Sequence, residues 1–381
     1  MRPVPRIGLV AAAALIAGCG VGYDLPTETP QRSIPSDGSY QMLATWSGMT
    51  DVADILLTQG TGSQLVILFN HGGTDSTSRG EVRGYPLTRP DPLPSVTFGG
   101  LFRLYNPVAL CSGGDGVTVP SNNRIYVLDQ GDTTLAHMQL SPTDTVRRVT
   151  RLEFYWRVRE YRLLGGDTLT SFTDLRLAFV RGIAADAEGR VYVSGVATVN
   201  VPSQIDPNVT ERVFQDRIYR YERGSQNDPM MPGANWHRDP NWQVEQGSGV
   251  GTLQDQRGIF WSGAGNGSLL AADYGKNWAQ RLSTVQSSSG DLYLDGGQTG
   301  TPFNGPQDVS GDLQGFIYVA DTGNQRVLRY SAEGAFVQRV DVEPNAFGSP
   351  LLSPVALAAD DSLVYVADRG QGQVIRYKRR P

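Results

Sequence analysis

Residues 304–336 read NGPQDVSGDLQGFIYVADTGNQRVLRYSAEGAF, and a shorter version, SPVALAADDSLVYVADRGQGQVIRY, follows at residues 353–377. Both stretches contain an apolar run opened by proline, a turn, the sequence Tyr-Val-Ala-Asp, a glycine-containing turn and an alternating strand. A unit that recurs along a chain is typical of proteins built from stacked repeats. The two stretches therefore predict two consecutive copies of one small β unit.

Four earlier copies are recognised by a strongly apolar run that matches the Tyr-Val-Ala-Asp strand. Each run is preceded by another apolar run, and the better copies continue into an alternating strand and a turn that leads to a fourth strand. The six matching runs are Leu65–Phe69, Arg124–Asp129, Arg190–Ser194, Ser268–Asp273, Phe316–Asp321 and Leu363–Asp368. We therefore expect units of about four strands.

A four-stranded sheet cannot bury two apolar faces by itself, but sheets arranged radially bury them against their neighbours. The sequence thus predicts an all-β fold, a six-bladed β-propeller over residues 39–381, and a seventh, unrecognised blade stays an alternative. The last copy ends after its third strand, at Tyr377. We expect the alternating segment Tyr40–Trp46 to complete this C-terminal blade and to close the ring.

The motif of the fifth copy resembles the NHL repeat, whose propellers typically have six blades. The resemblance is carried by Pro306, Gly315, Tyr318–Asp321, Gly323, Asn324, Arg326 and Val327. It is strong in residues 303–340, good in 351–377, and partial or weak in the other copies. We interpret Asp321, Asn324 and Arg326 as structural: the first two satisfy backbone donors, and the arginine pairs with an aspartate of a neighbouring blade.

The first 18 residues, MRPVPRIGLVAAAALIAG, combine two arginines, a short apolar run and small residues. This pattern predicts an export signal. The end of the segment, Leu15–Cys19, resembles the lipobox of bacterial lipoproteins. The resemblance implies cleavage before Cys19, a diacylglycerol on its thiol and acyl chains such as palmitate. An ordinary signal peptide is the alternative.

Residues 19–38 are rich in Pro, Gly, Ser and Thr and are predicted to form a tether. The hypothesis is a bacterial envelope protein that contacts the membrane through its lipid anchor alone. Gly20 follows Cys19, which favours the outer membrane.

The charge balance argues against nucleic acid as a partner. The chain has 33 Lys and Arg against 38 Asp and Glu, and phosphate binding needs clustered positive charge. Only one other cysteine, Cys111, is present besides Cys19. Since it follows an apolar run, we predict a buried thiol and no internal disulfide.

Motifs for chemistry are scarce. No Gly-x-Ser-x-Gly elbow and no complete Gly-x-Gly-x-x-Gly fingerprint occur, so no catalytic residue, metal or cofactor is predicted. NHL-like lyases hold zinc through histidines of several blades. The three histidines His71, His137 and His237 lie in different copies and in unlike contexts. These contexts do not indicate a shared zinc site. A metal-assisted lyase or lactonase that uses the axial funnel is kept as the alternative function.

Residues at the openings of the inner strands can project towards the central channel and orient a polar ligand. The candidates for ligand binding are Asp54, Arg181, Arg257, Gln307 and Asp308. The alternative is that they form salt bridges between blades and a solvated rim.

Two segments, residues 197–216 and 224–251, are predicted as insertions in or after the third copy. The second contains PMMPGANWHRDPNW, residues 229–242, and its candidates for a protein or glycan contact are Met230, Met231, Trp236, His237 and Trp242. Covering the edge of a blade is the alternative. The expected function is a binding or scaffold module rather than an enzyme, monomeric, with an unidentified envelope protein or glycan as partner.

Overall fold

The computed structural model of the protein describes residues 38–58, 64–71, 80–87, 94, 96–98, 104–113, 124–131, 156–162, 168–203, 205, 208–224, 228–231, 235–264, 267–341 and 351–380. Within these ranges the regular structure consists of strands and of two short 3-10 turns, Gly297–Thr299 and Thr322–Asn324. Ser39–Arg379 form one compact unit. The predicted signal peptide, Cys19 and nearly all of the predicted tether lie outside the described residues.

The strands form six antiparallel sheets of four strands each. In chain order the strands are β1 (Tyr40–Ser47), β2 (Val52–Leu57), β3 (Gln64–Phe69), β4 (Glu81–Pro86), β5 (Val96–Phe98), β6 (Pro107–Gly113), β7 (Arg124–Asp129), β8 (Arg157–Arg162), β9 (Thr168–Phe172), β10 (Leu177–Ala185), β11 (Val191–Pro202), β12 (Thr210–Arg223), β13 (Trp236–Glu245), β14 (Gln256–Ser262), β15 (Ser268–Asp273), β16 (Trp278–Leu282), β17 (Gly290–Leu294), β18 (Pro306–Gly311), β19 (Ile317–Asp321), β20 (Arg326–Tyr330), β21 (Phe336–Arg339), β22 (Pro354–Ala359), β23 (Leu363–Asp368) and β24 (Gln373–Arg379).

Each sheet is one blade of a β-propeller. Blades 1 to 5 contain β2–β5, β6–β9, β10–β13, β14–β17 and β18–β21, and blade 6 contains β22, β23, β24 and β1. The first strand of each blade contacts the first strand of the next, and β22 contacts β2. The six inner strands therefore form a closed ring, and the prediction of a six-bladed all-β propeller is confirmed.

The hydrophobic core lies between the blades. In β15, Leu269 and Ala271 pack towards blade 3, beside Tyr192, whereas Leu270 and Ala272 pack towards blade 5, beside Val319. Successive side chains of a strand point to opposite faces, so a strand that is covered on both faces must be apolar throughout. This explains the nearly continuous apolar run in the second strand of each copy.

The ring is closed by the strand β1, as the sequence predicts. It pairs with β24 from Tyr40↔Arg379 to Ser47↔Gln373, with a register shift between Met42 and Ala44. The shift reverses the alternation of side chains, so Trp46 packs between blades 6 and 1, and Tyr40 packs between blades 5 and 6. The hydroxyl oxygens of Tyr40 and Tyr318 lie 3.1 Å apart.

Blade 3 corrects the prediction of two insertions. Residues 197–202 and 210–216 extend the hairpin of β11 and β12, which stay paired from Val191↔Tyr221 to Pro202↔Thr210. Residues 224–251 contain β13, the fourth strand of the blade. Its alternation was hidden in the sequence because Arg238, Asp239 and Pro240 interrupt the apolar residues. The insertions are therefore parts of the blade itself.

A buried aspartate ends the second strand of blades 2, 4, 5 and 6, at Asp129, Asp273, Asp321 and Asp368. Asp321 accepts hydrogen bonds from the backbone N–H of Asn304 (2.8 Å) and from the amide of Asn324 (2.8 Å). The structural interpretation of Asp321 is thus confirmed. Asn324 is structural too, but its amide donates to Asp321 and to the carbonyl oxygen of Pro302 (2.8 Å) and is not the acceptor that the sequence predicts. The prediction that Arg326 pairs with an aspartate of a neighbouring blade is wrong, because its Nε donates to Asp321 of the same blade at 2.6 Å.

Candidate functional site

A cavity of about 370 Å³ lies on the axis of the propeller and is lined by residues of all six inner strands. Its wall is mostly apolar. The large apolar side chains that line it include Ile55, Leu57, Leu110, Ile183, Ile259, Trp261, Val309 and Leu357. Ligand sites in proteins are typically concave and apolar, with a few polar groups that orient the ligand. The axial cavity has this form.

Each inner strand carries a register shift near its beginning. The residues at the end of these shifts occupy equivalent positions and are called the ring residues here: the first paired residue after the shift in five strands, and the last residue within the shift in β14. The ring residues are Asp54, Ala109, Gly182, Gly258, Asp308 and Ala356. Four of these six have no side chain beyond Cβ. A Cβ at position 258 would lie 2.0 Å from Oδ1 of Asp308, so glycine at this position leaves room for the carboxyl group of the neighbouring blade.

Both ring aspartates bind the next blade through a backbone N–H. Oδ2 of Asp54 accepts from Leu110 N (2.8 Å) and its Oδ1 from Ile55 N (2.8 Å). Oδ2 of Asp308 accepts from Leu357 N at 2.7 Å. The two carboxyl groups are therefore held in place by the sheet backbone, in the wall of the same cavity.

The electrostatics of the cavity favour the protonated carboxyl groups. Burial raises the pKa of Asp54 to about 7. Burial, and then the charge of Asp54, raise the pKa of Asp308 well above its ordinary value. Both effects penalise the ionised form, since a buried charge loses its hydration and like charges repel. Asp54 and Asp308 therefore titrate as an interacting pair that retains a proton near neutral pH.

Cys111 also lines the cavity and is a free cysteine. It follows Leu110, whose N–H binds Asp54. Burial, and then the charge of Asp54, raise the pKa of the Cys111 thiol well above its ordinary value. The thiol therefore stays protonated at neutral pH and is a poor nucleophile.

The structure separates the five predicted ligand-binding residues into two groups. Asp54 and Asp308 line the cavity, whereas Arg181, Arg257 and Gln307 each precede a ring residue and are absent from its wall. Nη1 of Arg181 lies 2.7 Å from Asp216 and 2.8 Å from Asp255 of blade 4. Arg257 also pairs with Asp255, at 2.9 Å. The two arginines thus form ion pairs, one of them between blades, as the alternative interpretation had it.

Three of the five candidate residues of the predicted contact segment are buried. Met231, Trp236 and Trp242 are at most 3% exposed. The ring of Trp236 packs 5.0 Å from that of Phe172, and Trp242 packs edge-to-face on Tyr192 at 5.0 Å. The expectation that these side chains are exposed is therefore wrong, because Met231 and Trp236 pack between blades 2 and 3 and Trp242 packs between blades 3 and 4. Met230 and His237 are half-buried.

Sequence reasoning missed Cys111 as a cavity residue and the pairing of Asp54 with Asp308. The sequence selected both aspartates, but it did not distinguish them from Arg181, Arg257 and Gln307. The distinguishing signal appears only when the inner strands are aligned at their bulges, where two aspartates stand among four glycines and alanines.

Within the described ranges, no group of three or more His, Cys, Asp or Glu side chains is arranged to hold a metal ion. His71 hydrogen-bonds Asp51 and Glu81, each at 3.1 Å, and His137 lies outside the described residues. A metal-assisted lyase or lactonase stays a prediction. In the same part of the chain, no helix has the length and hydrophobicity needed to cross a membrane.

The class of protein defined by this fold and site is a six-bladed β-propeller with an axial cavity of ligand size. No protein-family model matches the chain, and no curated protein matches it.

Proposed function

We propose that the protein is a binding module whose ligand is a small molecule held in the axial cavity. The observation that supports this most is a cavity of about 370 Å³ with apolar walls and two fixed carboxyl groups. Apolar walls supply binding energy through buried area, whereas a few polar groups set orientation and specificity. Propellers host both binders and enzymes, so the proposal depends on the cavity and not on the fold alone.

An uncharged fluorescent dye tests whether the cavity binds small molecules. We expect N-phenyl-1-naphthylamine to bind the protein saturably, with a stoichiometry of one. Ser112 is exposed in the wall of the cavity, and Ser112→Trp places an indole there. The dissociation constant of the dye should rise about tenfold or more, which corresponds to about 1.4 kcal/mol.

The matched control is Ser362→Trp, a substitution of another exposed serine that does not line the cavity. It should leave the dissociation constant unchanged. Equal binding by both variants, or the absence of saturable binding by the unsubstituted protein, contradicts the proposed function.

We also propose that the binding module is anchored to the bacterial envelope through Cys19, with the outer membrane preferred. The support is the lipobox-like sequence Leu15–Cys19 and the polar segment that follows it. Two or more acyl chains hold a protein stably on a bilayer, whereas one chain gives only reversible binding. The ligand would then be met outside the cytoplasm.

Metabolic labelling with alkyne-tagged palmitate tests the anchor. The unsubstituted protein should incorporate the label and fractionate with membranes, and Cys19→Ser should abolish the incorporation because it removes the acceptor thiol. Cys111→Ser is the matched control and should retain both label and membrane association. Labelling that persists in Cys19→Ser would refute lipidation at this residue.

A further inference from the structure

Among the residues that the structure describes, no cationic side chain forms an ion pair with Asp54 or Asp308. Within the described part of the chain, the titratable and charged side chains that line the cavity are Asp54, Cys111, Arg124, Asp308 and Asp312. Arg124 pairs with Glu160. Asp312 accepts hydrogen bonds from the Tyr318 hydroxyl (2.9 Å) and from Phe316 N (2.9 Å). The hydrogen bonds described for Asp54 and Asp308 come from backbone N–H groups.

The arginines nearest along the inner strands do not supply the missing charge. Arg181 and Arg257 are paired with Asp216 and Asp255 outside the cavity wall. A buried carboxylate without a counter-charge is costly, and two in one cavity repel each other as well. In the empty protein the pair therefore avoids this cost by retaining protons.

A ligand that brings its own positive charge removes the same cost by a different route. In a cavity of low dielectric constant, an ammonium group near two carboxylates is attracted far more strongly than in water. The hydrocarbon part of such a ligand would contact Ile183, Ile259 and Leu357 on the wall. An anion of the same size would contact the same wall, but it would gain no such attraction and would be repelled once either carboxyl group is ionised.

We propose that the axial cavity selects organic cations with an apolar body, such as protonated alkyl or aralkyl amines, and that Asp54 and Asp308 bind the charged group. This inference rests on the proposed function, since it names the class of ligand for the same cavity.

Cys111 provides a chemical reporter inside the cavity. In the full chain carrying Cys19→Ser it is the single cysteine. Its thiolate attacks the sulfenyl sulfur of a methanethiosulfonate, which forms a mixed disulfide and releases methanesulfinate. Three reagents of similar size carry a trimethylammonium group, a sulfonate group or no charge. The rate of each is divided by its rate with 2-mercaptoethanol, so the ratios report the environment of the cavity.

At pH 8 we expect the normalised rate of the ammonium reagent to exceed that of the sulfonate reagent by about tenfold or more, as in other charged clefts. Asp54→Asn combined with Asp308→Asn should bring the ratio close to one. Asp291→Asn, which removes an exposed carboxylate on β17, is the matched control and should leave the ratio unchanged.

The neutral reagent separates the two possible failures. If it labels Cys111 in unfolded protein but leaves folded protein unlabelled even at a pH high enough to ionise the buried thiol, the cavity is closed and the proposed function fails. If it labels the folded protein and the two charged reagents react at equal normalised rates, the cavity is open but does not select cations, and this inference alone is overturned.

A competition experiment on the chain carrying only Cys19→Ser covers the case in which the double variant does not fold. Phenethylamine should slow labelling of Cys111 by the neutral reagent at concentrations where phenethyl alcohol and 3-phenylpropanoate do not. Equal protection by the amine and the alcohol would contradict the selection of cations.

Discussion

We expect Asp368→Ala to lower the free energy of unfolding by about 4 kcal/mol, because the substitution leaves several buried backbone N–H donors without an acceptor. Oδ2 of Asp368 accepts from Leu352 N (2.8 Å), and its Oδ1 accepts from Ser353 N (2.8 Å) and Gly370 N (3.0 Å). The side chain is 1% exposed, so water cannot replace these bonds without opening the turn. Urea denaturation followed by tryptophan fluorescence measures the loss.

Two variants control this result. Asp368→Asn keeps one acceptor oxygen and should retain part of the stability. Asp291→Ala removes a carboxylate from an exposed ion pair with Arg281, and such pairs contribute about 1 kcal/mol or less. A loss of the same size for Asp291→Ala and Asp368→Ala would show that the buried aspartate is not a specific stabilising element.

Asp54→Asn should make the protein more stable at pH 8 and leave its stability nearly unchanged at pH 4. The pKa of Asp54 is raised by burial to about 7 in the folded protein, whereas an unfolded chain has a pKa near about 4. Between these values the folded protein keeps a proton that the unfolded chain has released. Stability therefore falls as the pH rises through this range.

The size of the gain follows from the difference between the two pKa values. About three pH units correspond to roughly 4 kcal/mol, and an expected gain of about 2–4 kcal/mol allows for the loss of a carboxylate acceptor. The charge of Asp54 also contributes to the raised pKa of Asp308, so the substitution should ease ionisation of Asp308. Urea denaturation at pH 4, 6 and 8 measures the trend.

Glu188→Gln is the matched control, because Glu188 is an exposed carboxylate whose side chain is 65% accessible. Its effect on stability should stay small over the whole range. A pH-independent effect of Asp54→Asn would show that the carboxyl group is not held in an environment that penalises its charge.

The fold was predictable because the same strand pattern recurs in all six copies along the chain. The second strand of each blade must be apolar on both faces. The runs Ser268–Asp273 and Leu363–Asp368 show this apolar pattern, the first of them in a copy whose surrounding motif is weak. The closing strand was predictable because the last copy lacks one strand. Blade 3 was harder, since Pro240 and its charged neighbours interrupt the alternation of β13.

The site was predictable only in part. Asp54 and Arg181 look equivalent in sequence, since both stand at the opening of an inner strand. Arg181 is the extra residue at the bulge of β10, whereas Asp54 is the first paired residue after the bulge of β2. Asp54 therefore lines the cavity, and Arg181 pairs with Asp216 and Asp255. A shift of one residue decides which side of a strand a side chain occupies, and a single sequence does not show where a bulge falls.

The pairing of β1 with β24 also determines when folding is completed. The contact between Tyr40 and Tyr318 joins residues 278 positions apart, and β24 follows still later in the chain. During synthesis, β1 therefore stays unpaired until β24 has been made. Contacts between distant residues form slowly because a long loop must close first. Ring closure is thus expected to be the last step of maturation, with the cavity completed only then.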